Sequence, residues 1–474
     1  MIRFRFLSAS AAAALALTGC ATAGPDYALP ADSIAVAPSA QGAFDAGDNP
    51  AFASDPLPDR WWQLYDDPRL DDLVQQALAA NADLRAADAN LLRAEAVLRE
   101  TAGEEGLGAS VEGSLMQERN HSLRSAGAGL SGVLTGQIGL QLTYPLDLHG
   151  KITRAIEASS ADRDATEAAR DHVRITVAAA TARAYAQVCA ANDQIATAQN
   201  IVDLQQQTLD ATRRLQQGGR GTAFDVSRAQ SAVDSSKAAL PALRAQRQGA
   251  LYLLATLLGK PPADYPRDIA QCDALPRLAR PMPISDGAAL IRRRPDIRQA
   301  ERMLAADTAR IGVAMADLYP SVSIAGGLML FNRVGDLPDT DSISFGLGPL
   351  LSWNWPYRTQ VDARIDQADA QVQADKARFD ATVLDALRSA ETALDSYASD
   401  LDQAAALQRA SQSAALSADQ AATLFRYGRS DFLSLLSAQS ALASAEARHA
   451  TAEAVLVDDQ IAIFLALGGG WQTG

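Results

Sequence analysis

The chain has 474 residues, 48% hydrophobic but only 5% aromatic, and carries a formal net charge of −14. That acidity argues against a nucleic-acid partner, since a phosphate backbone is gripped by clustered Lys and Arg. The four histidines, His121, His149, His172 and His449, are scattered without ligand spacing and no CxxC occurs, so no Cys/His metal module is present in the sequence.

Arg3 and Arg5 precede the apolar run 6–17, which is too short to span a bilayer and has the form of a secretory signal. The run ends in Leu17-Thr18-Gly19-Cys20, resembling a bacterial lipoprotein signal, so residues 1–19 are expected to be removed and Cys20 to carry a covalent lipid. Ala21 rather than Asp follows, which in such signals favours sorting to the outer membrane. Loss of Arg3 and Arg5 takes the formal charge from −14 to −16. Residues 20–59, with Pro25, Pro30, Pro38, Pro50, Pro56 and Pro58, read as an extended segment without a core.

A first unit, 60–262, is predicted to hold strands over 108–117 and 132–146 and a helical hairpin over 153–258. Ala109, Val111 and Leu115 alternate with Ser110, Glu112 and Ser114, and Leu134, Ile138, Leu140, Leu142 and Tyr144 alternate with Thr135, Gln137, Gln141 and Thr143. Period two over ten or more residues is a strand signal. No Gly or Pro interrupts the stretch between Gly150 and Gly218; taken as helix, residues 153–217 span roughly 98 Å at 1.5 Å each. A linker, 263–283, leads to a second unit, 284–474, with strands over 321–331 and 342–356 and a hairpin over 361–467. Val322, Ile324, Leu328 and Leu330 form its first alternating set; Ile343, Phe345, Leu347, Leu351, Trp353 and Trp355 form its second. Phe379, Val383, Ala386, Ala390, Leu394, Tyr397, Leu401 and Ala404 recur at coiled-coil seam spacing. The strands are as long as bilayer-spanning strands need to be, and Tyr144, Trp353, Trp355 and Tyr357 stand near their ends, where interfacial aromatics gather. On this pattern alone a half-buried sheet in a soluble domain stays open.

The two units are copies. Ala229-Gln230-Ser231-Ala232 returns 209 positions later as Ala438-Gln439-Ser440-Ala441, and the same offset superposes Gly219-Arg220 on Gly428-Arg429. Upstream the offset is 213, where Asp83-Leu84-Arg85 meets Asp296-Ile297-Arg298. A repeat this long points to a duplicated half-protein in a pseudo-symmetric assembly rather than a solenoid.

The sequence shows no catalytic constellation, no phosphate loop and no metal set. Asp336, Asp339 and Asp341 crowd one loop but lack the glycine and glutamate of a calcium loop, so they read as a solvated acidic turn. Cys189 and Cys272 remain beside Cys20; export permits a disulfide between them, yet Cys189 lies inside the long helix, which favours the unpaired state and leaves the question open.

Several motifs carry a resemblance: Gly24-Pro25-Asp26-Tyr27, Trp61-Trp62 with Asp67-Pro68-Arg69-Leu70, Leu142-Thr143-Tyr144-Pro145-Leu146-Asp147-Leu148-His149-Gly150, Arg293-Arg294-Pro295-Asp296-Ile297 with Leu318-Tyr319-Pro320-Ser321, and Tyr427-Gly428-Arg429-Ser430-Asp431-Phe432-Leu433. With these the chain resembles the outer membrane factors, the TolC family, and within it the NodT-like efflux lipoproteins, over almost all of residues 24–471. The resemblance implies a mainly α fold with a membrane β-barrel, each protomer giving four strands and two long helical hairpins, and a homotrimer closing a 12-stranded barrel on a helical periplasmic tunnel. It implies an outer-membrane efflux duct and not an enzyme, without a cofactor beyond the lipid on Cys20. Its partners would be a periplasmic membrane-fusion adaptor, an inner-membrane pump of the RND, MFS or ABC type and outer-membrane lipid. A type I protein secretion duct and a lipid-anchored structural coiled coil are the alternatives.

Carried over by position, the resemblance makes the hairpin tips, Gly219, Arg220 and Gly221 with Gly428, Arg429 and Ser430, the adaptor-docking sites. The family's gate aspartate, six residues after the first tip glycine, falls on Asp225; its tyrosine and arginine partners fall on Phe425 and Ser430, with Tyr427 and Arg429 nearby. A substitute Asp225–Arg429 pair and a solvated tip charge both stay open. The family's acidic constriction ring falls on Ser434 and Ser437, which puts strong cation selectivity at that entrance in doubt.

Overall fold

The computed structural model describes residues 22–118, 133–272, 274–334, 342–353 and 357–469. Cys20 and its leader, His121, Asp336, Asp339, Asp341 and Trp355 lie outside them. In chain order the principal elements are α1 (Pro68–Ala80), α2 (Ala82–Gly103), β1 (Gly108–Glu118), β2 (Val133–Leu146), α3 (Lys151–Gln217), α4 (Ala223–Leu257), α5 (Gly287–Arg293), α6 (Pro295–Ala316), β3 (Ser321–Arg333), β4 (Ile343–Ser352), α7 (Arg358–Arg426) and α8 (Phe432–Ala466). The duplication governs their bounds: an offset of 209 carries α4 onto α8 at both ends, and 213 carries α2 onto α6. The fourth strand, expected to reach 356, stops at Ser352; Trp353 already lies beyond it.

The chain forms two compact units. The first comprises Met1–Pro30, Asn90–Glu167 and Gln299–Phe379. It holds an antiparallel sheet in the order β1-β2-β3-β4, with Val111 opposite Leu140, Leu140 opposite Leu328, and Leu328 opposite Phe345. The segment around Ala23 is fastened here. Gly24, at φ +83°, lies so close to Gly312 that a Cβ on it would sit 2.5 Å from the Gly312 Cα. The buried Arg154 donates to the Ala23 carbonyl at 3.0 Å and pairs with Asp26 at 2.7 Å, and the Tyr27 hydroxyl donates to Glu301 at 3.0 Å.

The second unit comprises Ala31–Ala89, Ala168–Arg298 and Asp380–Gly474. The expectation of a coreless N-terminal segment is overturned here as well. Ser33 and the Ile34 amide both donate to Asp380, and Phe44, Phe52 and Leu57 are buried. Phe52–Ala53 pairs with Met282–Pro283 as a short parallel ladder. Trp61, fully buried, stacks on Phe464 with ring centroids 4.6 Å apart. The double arginine is structural: Arg294 holds Asp296 through two hydrogen bonds and caps the end of α8 by donating to the Ala466 carbonyl at 2.7 Å, while Arg293 pairs with Asp59. Along α7 the predicted seam is buried from Phe379 through Val383, Ala386, Ala390 and Leu394 to Tyr397.

Cys189 and Cys272 are joined by a disulfide, with Cα atoms 5.1 Å apart. A helical position did not prevent this, because a residue on a helix surface projects its side chain outward and the linker runs directly across it. One turn further on, the Asn192 amide donates to the carbonyls of Ala270 and Cys272, holding the linker on α3. The bridge closes a loop of 83 residues, a cross-link that contributes about 4–5 kcal/mol in the chain-entropy treatment.

On α8, burial, together with a hydrogen bond to Asp400 and the charges of Asp400 and Asp458, pushes the Asp459 carboxyl up to about 7. The folded unit therefore holds a proton that the unfolded chain has released, so stability falls as pH rises from the ordinary carboxylate range and the loss is complete above about pH 7. Asp459→Asn is expected to raise Tm near pH 8 and leave it unchanged near pH 4, each kcal/mol recovered being worth about 2–4 °C. Thermal unfolding at the two pH values checks this; equal shifts at both would remove the shared proton.

Candidate membrane sheet and hairpin tips

One face of the sheet is apolar across its centre, with Gln117 and Asn332 toward one end. Val111, Leu140, Leu328 and Phe345 form a row across all four strands, flanked by Ile138, Leu330 and Ile343 on one side and by Leu142 and Leu347 on the other. Leu142 and Leu330 are half-buried and the others exposed, Phe345 to 88% and Leu347 to 82%. The opposite face carries Ser110, Glu112, Gln137, Gln141, Thr143, Ser344 and several glycines. An apolar face this large in water marks an interaction with lipid or protein. Among the described residues no helix is long and apolar enough to cross a membrane. β1 and β4 are the outer strands, with no neighbouring strand within the described residues. In a bilayer such edges must be paired, because lipid offers no hydrogen-bond partners.

Both hairpin tips lie in the second unit and have the same build. Gly219 at φ +70° and Gly428 at φ +72° end the long helices in the left-handed conformation that glycine adopts without penalty. The next amides, Arg220 and Arg429, each bond at 2.8 Å to a carbonyl five residues back, at Leu215 and Leu424. A helix N-cap follows at once in each. Thr222 and Asp225 form a reciprocal capping box on α4, and the Asp431 carboxylate accepts from the Ser434 amide at 2.7 Å on α8. The Ser434 amide, then its hydroxyl, hold the Asp431 carboxyl below its ordinary range.

The gate candidates separate into distinct roles. Asp225 accepts from the amide and hydroxyl of Thr222 in its own turn, so its partner within the chain is Thr222 and not Arg429. Phe425 is half-buried against Phe432, 6.1 Å between centroids, in a cluster with Leu209, Ala229 and Val233 that joins the two hairpins. It packs the hairpins together and does not face open space. Tyr427, Arg429, Ser434 and Ser437 are exposed, as are Gly219, Arg220 and Gly428; Ser430 is half-exposed. Added Cβ atoms on Gly219 or Gly428 would touch nothing within 4 Å. Sequence reasoning passed over the exposed apolar residues beside the turns, Phe224 with Arg228 over its ring, Leu424 and Leu433. Their apolar character next to tip glycines, at positions off the helix seam, was the available signal.

A family model described as outer membrane efflux protein matches residues 73–260 and 288–469, most of both repeats. The chain belongs to the outer membrane efflux protein family. It is accordingly a channel subunit and not an enzyme. Nodulation protein T of Rhizobium leguminosarum bv. trifolii is 27% identical over 467 residues, covering 96% of each chain. The pyoverdine export outer membrane protein OpmQ of Pseudomonas putida is 28% identical over 431 residues, covering 88% of this chain and 89% of its own. The solved structure of the outer-membrane channel OprN superposes with a TM-score of 0.86 at 33% identity, over 95% of this chain and 99% of that one. For an efflux family member, the apolar sheet face is the surface expected to meet lipid.

Proposed function

We propose that this chain is the outer-membrane duct of a tripartite efflux system, working as a lipid-anchored homotrimer whose hairpin tips receive a periplasmic adaptor fed by an inner-membrane pump. One observation carries the reading: a four-stranded sheet with a continuous apolar face and two unpaired edges. Four strands cannot close a barrel alone, whereas copies joined β4 to β1 satisfy every edge. Conduction is passive; the chain supplies a water-filled passage and the pump supplies energy. Relatives named for nodulation and for pyoverdine export support the export of small molecules as a class, and the pump, of RND, MFS or ABC type, sets which of them enters.

Cys20 adds a second membrane attachment at the start of the mature chain. Acyl chains contribute about 0.8 kcal/mol per buried methylene, whereas the barrel carries its own apolar band. Cys20→Ser behind a non-lipoprotein leader is expected to leave trimers in the outer membrane with weakened efflux, measured by membrane fractionation and resistance of a complemented deletion strain. A monomer wholly soluble in the periplasm would overturn the barrel reading.

A further inference from the structure

The strand register joins six consecutive residues on each of the four strands into one band, residues 108–113, 138–143, 325–330 and 343–348. Glu112 is the single ionisable side chain in that band. It is exposed, and alternation places it on the polar face while Val111 and Gly113 belong to the apolar one. Its partners in register are Gly139, Met329 and Ser344, so no cation stands opposite it. Closure of the barrel does not supply one either. The strand a second copy would bring against β1 is β4, which holds no ionisable residue from Ile343 to Ser352. The nearest cation of the same face in the described sheet, Arg333, lies four residues along β3 from the row of Glu112, about 13 Å at strand spacing and beyond the screening length of about 8 Å in physiological salt.

We infer that Glu112 sets the charge preference of the barrel: repeated by the symmetry of the assembly, it forms a ring of carboxylates in an otherwise uncharged band, favouring cationic solutes over anionic ones. The inference rests on the trimeric duct proposed above. A ring of acidic side chains around a water-filled pore raises the local concentration of cations and lowers that of anions. Gly139, its partner in register, brings no side chain beside it, and the Glu112 side chain is exposed on the polar face.

The test is the reversal potential of the purified, full-length protein in planar bilayers under a potassium chloride gradient at low ionic strength. The wild type is expected to prefer potassium over chloride, Glu112→Gln to reduce the permeability ratio by about twofold or more, and Glu112→Lys to invert it, with the differences fading toward 1 M salt, where screening reaches about 3 Å. All three side chains face water, so outer-membrane yields of the oligomer should match. Conducting channels with one reversal potential for all three proteins would overturn the inference and leave the duct intact. A wild-type protein that forms no channel would remove the duct reading, and the inference with it.

Discussion

Leu140→Arg is expected to abolish insertion of the oligomer into the outer membrane, while Gln141→Arg one residue away leaves it intact. Leu140 stands in the central apolar row, between Val111 and Leu328. Arginine near the bilayer midplane costs about 2–4 kcal/mol in each copy. Distant, equivalent sites add, so a trimer bears about 6–12 kcal/mol, comparable with the whole stability of a folded domain. Gln141 points to the other face, where its partners are Ser110 and Gly327 and water reaches the added charge. Heat-modifiable oligomer in outer-membrane fractions is the readout. Equal tolerance of both substitutions would refute the assignment of the two faces.

Gly428→Trp is expected to abolish efflux while the oligomer still assembles and inserts. The residue sits at φ +72°, where a side chain costs about 1–2 kcal/mol, yet the space around its Cβ is empty. The strain is local, and the hairpin-joining cluster around Phe425 and Phe432 lies within the helices on either side of the turn. What changes is the surface offered to a docking chain. Gly428→Asn, which tolerates the left-handed conformation, separates strain from bulk and is expected to keep most activity. Resistance conferred on a deletion strain, read beside oligomer yield, decides the outcome; normal efflux in Gly428→Trp would remove the docking role.

Features set by local pattern were legible before the structure. The 209-residue offset is visible in four repeated letters and reappears in the bounds of α4 and α8, because left-handed glycines recur at that offset before and after each helix and a side chain caps each start, Thr222 in one and Asp431 in the other. Period-two alternation exposed the strand faces, since a side chain's face depends only on its parity. The capping role of Asp225 was not read from the sequence, where it stood as a gate candidate, although Thr222 three residues before an acid at a helix start is the capping pattern. Features set by distant partners were not legible. Ser33 finds Asp380 across 347 residues, Gly24 finds Gly312 and Asp59 finds Arg293, so a proline-rich segment that looked coreless is fastened along its length. The Cys189–Cys272 bridge depends on where the linker crosses α3, which no periodicity records.

The claim on which the rest depends is that the open sheet is closed by identical copies. The native mass of the protein extracted from outer membranes in mild detergent tests it most directly. Three chains per particle, dissociating to single chains on heating, is the expected result; a stable particle containing one chain would contradict it.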